Sequence, residues 1–107
     1  MDMKYGWEKF FVAVQALASG RDDVKERLFN AYISALIHLQ PDDLSEELRE
    51  EFGALQEELT KVKPTGDEGK LRATINAMSI DKAVELAKQI VSIYDKIAKR
   101  DPLNEYH

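Results

Sequence analysis

The chain contains no cysteine, two histidines, three prolines and five glycines among its 107 residues. The absence of cysteine excludes a disulfide framework, a thiolate metal site and a cysteine nucleophile. No apolar run approaches the roughly 20 residues that a membrane-crossing helix requires. The first residues, MDMKYGWEKFF, mix acid with base and offer no small-residue cleavage site, so no secretory leader is expected. No stretch alternates apolar and polar residues as a half-buried strand would. Nor is there an internal repeat or a low-complexity segment.

What is present is 44% hydrophobic and 33% charged, too apolar for disorder and too charged for a membrane chain. The length suits one domain spanning residues 1–107. Helical periodicity dominates. Trp7, Phe10, Phe11, Val14, Leu17 and Ala18 form one stripe over a helix from about Lys4 to Ala18. Ser19-Gly20 predicts a left-handed glycine stop. Asp23 and Glu26 have capping-box spacing at the head of a second helix, which is expected to reach Leu39 before Gln40-Pro41 breaks it. Val24, Leu28, Ala31, Tyr32, Ala35 and Leu39 make its main face. Phe29, Ile33, Leu36 and Ile37 widen the apolar arc to about two-thirds of the circumference.

A third helix is expected from Asp43–Ser45 to about Val62, with Asp43 and Glu46 as a second capping pair. Leu48, Phe52, Leu55, Leu59 and Val62 step by 4, 3, 4, 3, a narrow seam suited to a peripheral helix. Gly53 interrupts it. Residues 63–69 read as a loop, followed by a short helix with Leu71, Ile75 and Met78 as its stripe. Ser79 reads as the N-cap of a last helix ending near Arg100, with Ala83, Val84, Leu86, Ala87, Ile90, Val91, Ile93, Tyr94 and Ile97 on its apolar half. Asp101-Pro102 ends it, and residues 101–107 read as a loose tail. The fold class that follows is all-α: an antiparallel bundle of four main helices plus one short helix.

Charge is unevenly spread within a net −5. Residues 40–69 hold ten acids against Arg49, Lys61 and Lys63. Residues 70–100 hold seven bases (Lys70, Arg72, Lys82, Lys88, Lys96, Lys99 and Arg100) against three acids. Such polarity bears on association rather than on fold.

Enzymatic and metal sites find little support. Di-metal carboxylate bundles use Glu-x-x-His pairs, but Ala35 precedes His38 by three residues and Asn104 precedes His107. Ser34 and His38 lie four apart, yet no orienting group or oxyanion site accompanies them. Gly66-Asp67-Glu68-Gly69-Lys70 has two residues between its glycines where a phosphate loop needs four, and both are acidic. No catalytic residue, cofactor or metal is therefore expected.

Two non-enzymatic readings remain. Six of the nine aromatics fall within the first 32 residues. Tyr5, Trp7, Phe11, Val12, Phe29 and Ile33 are the candidate partner-binding residues, because the first two helices carry more apolar surface than a small bundle needs. They point to a cytoplasmic protein–protein interaction module, with a homodimer as one form. The alternative is a small regulator contacting nucleic acid through the basic last helix, although Asp81 and Glu85 at its start would face phosphates.

Overall fold

The structure is a computed structural model that describes residues 3–66 and 69–100. Five α-helices follow one another: α1 (Met3–Ser19), α2 (Val24–Ser34), α3 (Glu46–Thr60), α4 (Gly69–Ala77) and α5 (Ile80–Arg100). Two short 3-10 turns, Leu36–His38 and Pro41–Asp43, join α2 to α3. There is no strand among the described residues, and the fold is an all-α bundle. No helix among them is long and apolar enough to cross a membrane.

The stripes meet in one core. α1, α2 and α5 pack against one another, while α3 packs on α4 and α5. Phe10 of α1 meets Phe52 of α3 edge-on, with ring centres 5.6 Å apart. Leu28, Leu55, Leu59, Ile75, Ile90 and Ile97 are buried around them. Local signals hold at two helix starts. The Glu26 N–H donates to Asp23 Oδ1 at 3.0 Å, and the Lys82 N–H donates to Ser79 Oγ at 3.0 Å. These bonds satisfy donors that a helix N-terminus otherwise leaves open.

Three local expectations need correction. Gly20 is not left-handed; among the described residues Gly69 is the glycine with positive φ, at 80°, where α4 begins. The Gly20 N–H still donates to Ala16 O at 3.2 Å. What requires glycine there is space, since a Cβ would stand 2.6 Å from Arg27 Cγ.

Secondly, α2 stops at Ser34 rather than Leu39. Ala35 leaves helical geometry (φ −138°, ψ −61°), and a 3-10 turn follows. In that turn positions i and i+3 eclipse, so Leu36 and Leu39 both enter the core while Ile37 and His38 stay exposed. Gln56 Nε2 of α3 donates to Leu39 O at 3.1 Å and holds the turn in place. Part of the surplus apolar arc is thus covered by the chain itself.

Thirdly, α3 starts at Glu46 with Ser45 as its N-cap, within the expected opening, but Asp43 belongs to the separate turn Pro41–Asp43 and is not its capping residue. Asp43 Oδ2 accepts the Gln40 N–H at 2.8 Å, so this carboxylate serves the turn and not a pair with Glu46. The tail at 101–107 and the acidic pair Asp67 and Glu68 lie outside the described residues.

Candidate interaction face

Trp7 and Phe11 stand one helical turn apart and stack, with ring centres 5.2 Å apart and planes 8° from parallel. Tyr94 of α5 lies 6.3 Å from each ring, tilted by 37° and 38°. Such offset contacts add to what burial alone supplies. Trp7 is half-buried, and its Nε1 is shielded from solvent without an acceptor. Phe11 keeps 37% of its surface exposed.

From Tyr94 the apolar surface continues along α5. Ile80, Val84, Ala87, Val91 and Tyr94 step by 4, 3, 4, 3. They form a second seam beside the buried one of Ala83, Leu86, Ile90, Ile93 and Ile97. Val91 is 45% exposed and Ile80 51%. α1 runs antiparallel to α5, with Phe11 near Tyr94 at one end and Leu17 near Val84 at the other. Between α1, α2 and α5 opens a hollow of about 380 Å³. Leu17, Val24, Val84, Ala87 and Val91 line it, together with two cations, Arg27 and Lys88. Arg27 Nε is buried and has no hydrogen-bond partner.

The six residues singled out by sequence do not share one patch. Trp7 and Phe11 join the face just described. Tyr5 and Val12, seven residues or about two turns apart, are exposed on another flank of α1. There the Lys9 ammonium lies 5.5 Å from the Tyr5 ring centre. Phe29 is half-buried beneath the guanidinium of Arg72, 3.6 Å from its ring centre. Ile33 is exposed one turn further along α2. The sequence reading missed Val84, Val91 and Tyr94 as members of the face. Their signal was the breadth of α5's apolar half, wide enough to hold two heptad-like seams.

The charge polarity is partly neutralised within the fold. Lys82 Nζ lies 2.9 Å from Glu58 and Lys96 Nζ 2.8 Å from Glu51, joining basic α5 to acidic α3. Lys99 pairs with Asp95 at 3.0 Å, and Arg72 with Glu26 at 2.7 Å. Hydrogen bonds from Lys82 and Lys61 hold the Glu58 carboxyl below its ordinary pKa. Arg72 does the same for Glu26. Burial raises Tyr32, against a smaller opposing effect of its hydrogen bond with Gln56.

Ser34 and His38 are not arranged as a catalytic pair. The Ser34 hydroxyl donates to Asn30 O at 2.6 Å, and the helix breaks between the two residues at Ala35. Among the described residues no three His, Asp or Glu side chains converge as a metal site. Comparison of the chain with protein-family models, curated proteins and solved structures gives no match.

Proposed function

We propose that this protein is a non-enzymatic interaction module, working inside the cell, that binds another protein chain through the joint face of α1 and α5. The observation that carries this reading is the Trp7–Phe11–Tyr94 cluster and its continuation into the outer seam of α5, where Val91 and Ile80 stand open. Aromatic anchors dominate binding energy at interfaces, and a continuous exposed apolar strip marks a partner site. The mechanism is burial of that strip, with no bond made or broken. Phe29 contributes little, because its ring already faces the Arg72 guanidinium; α2 reaches the face through Val24 and Arg27.

The test combines light scattering over a concentration series with capture of partners from native lysate. A chain retained by the wild type, whether a second copy or a different protein, should be released by Phe11→Asp and by Val91→Asp. Ile33→Asp, on another exposed surface, should leave it bound. If both face variants keep every partner while still folded, the face is not the binding surface.

A further inference from the structure

We propose that the α1–α5 face receives an acidic amphipathic helix from a partner protein, laid along the outer seam of α5 with a carboxylate on Arg27 and Lys88. This rests on the preceding reading and names the occupant. Both charged groups lining the hollow are cationic, and neither makes an ion pair among the described residues. Of the three acids of α5, Glu85 is engaged by Lys82 and Asp95 by Lys99, while Asp81 stands at the Ile80 end of the seam, about two turns from Lys88. Arg27 stays charged, because a guanidinium does not lose its proton, and with Lys88 it makes the hollow positive. A carboxylate beside an apolar group supplies what the hollow lacks.

The length of the seam selects a helix over a small carboxylate. Ile80 to Tyr94 spans about 21 Å at the usual helical rise, and its 4-3 spacing accepts a partner helix's i, i+3, i+4, i+7 anchors. A small molecule would fill the hollow but leave Ile80 and Phe11 uncovered. A second copy fits poorly. A two-fold contact with its axis at the hollow, the middle of the seam, would set each copy's Arg27 and Lys88 against the other's, and like charges across an interface oppose association.

The probes are synthetic helical peptides of about 18 residues, long enough to span the seam. Leucines at 4-3 spacing form one stripe, flanked by glutamates in one peptide and by lysines in the other. Trp7, the one tryptophan of the chain, reports binding by fluorescence from its place beside Tyr94. At physiological salt the glutamate peptide should bind about tenfold more tightly than the lysine peptide. Arg27→Met and the exposed Lys88→Glu should each weaken it by about fivefold or more. Arg27→Met keeps an unbranched stem against Gly20 and removes an unsatisfied donor, so its melting temperature should not fall. Ile80→Asp, outside the hollow, should also weaken binding.

Equal binding of both peptides, or no saturable binding, overturns the proposal. So does competition by decanoate together with an inert Ile80→Asp, which would mark a small-carboxylate site. Failure of the peptides while Phe11→Asp still abolishes a native complex overturns the occupant and leaves the face standing. Failure of both removes the face as well.

Discussion

Arg72 lies over Phe29, its guanidinium carbon 3.6 Å from the ring centre, while Nη1 and Nη2 grip the Glu26 carboxylate at 2.7 and 3.0 Å. Stacking and bidentate pairing together tie α4 to α2, and both need the planar fork that lysine lacks. Nearby, Lys25 Nζ donates to Asn76 O at 3.2 Å and adds a second tie between the same helices. Arg72→Lys should therefore destabilise the fold by about 1 kcal/mol in denaturant titration, since exposed ion pairs and stacked cations each contribute up to about that amount. A loss well below the scatter of surface substitutions would show that the stack carries no stability.

The same pair makes stability depend on acid. Hydrogen bonding to Arg72 is the main cause of Glu26's lowered pKa, and bonding to Lys82 and Lys61 is that of Glu58's. In the unfolded chain both titrate near their ordinary value of 4.5. Below it the unfolded state binds more protons than the folded one, so stability rises with pH through that window. The contribution is fully present above the ordinary value and disappears as pH falls through the folded values. Melting temperatures taken from neutral pH down to about pH 3 should fall more steeply for the wild type than for a Glu26→Gln, Glu58→Gln double variant. Parallel curves would show that other carboxylates govern acid unfolding.

Among the described residues Thr74 is the buried polar side chain, and it works in two directions. Its hydroxyl donates to Lys70 O at 2.7 Å and accepts the Val62 N–H at 2.9 Å. Val62 follows α3, so this bond closes the loop between α3 and α4 from the α4 side. Thr74→Val keeps the shape and strands the Val62 N–H, for about 1–3 kcal/mol. Thr74→Ser keeps both bonds and should lose less. A larger loss in Thr74→Ser than in Thr74→Val would point to the methyl group instead of the hydroxyl.

These ties explain how far the sequence could be read. The inward faces of α3 and α4 were legible because apolar spacing alone decides which way a narrow stripe turns, whereas the stripe drawn on α1 took in the exposed Phe11 and Ala18 and left out the buried Ala13. Asp23 and Ser79 were legible because a cap acts on its own helix within three residues. The end of α2 was not, since Ser34-Ala-Leu-Ile-His-Leu39 holds neither glycine nor proline. The break at Ala35 is fixed by Leu36 and Leu39 entering the core and by Gln56, 17 residues further along, reaching the Leu39 carbonyl. Phe29 misled for a similar reason: nothing near it in sequence announces that Arg72 will cover it. Trp7 and Phe11 were found, but their partner Tyr94 lies on a helix whose two seams cannot be ranked as inner and outer without knowing where α1 sits.

Gly53 sits inside α3 with nothing within 4 Å of the position a Cβ would take. Its backbone is helical and its φ is not positive. Alanine there meets no obstacle and removes backbone freedom from the unfolded chain. Gly53→Ala should stabilise the fold by about 0.5–1 kcal/mol, seen as a higher denaturant midpoint with an unchanged slope.

Gly6 should respond in the opposite sense. It too is helical, so propensity alone again favours alanine by about 1 kcal/mol. But a Cβ at Gly6 would stand 2.7 Å from Leu44 Cδ2 and 3.4 Å from the Asp43 carbonyl oxygen. Leu44 is buried, and its backbone is held on both sides: its N–H donates to Pro41 O at 3.0 Å and its carbonyl accepts Arg49 Nε at 3.1 Å. The leucine side chain must therefore move without help from its backbone. Overpacking of this kind typically costs about 1–3 kcal/mol, which exceeds the propensity gain. Gly6→Ala should come out destabilising by about 1 kcal/mol. Leu44→Ala placed in the same chain should remove the clash and restore the propensity gain, so the two substitutions should be markedly non-additive. A Gly6→Ala variant as stable as Gly53→Ala would show that α1 does not need to lie this close to the turn before α3.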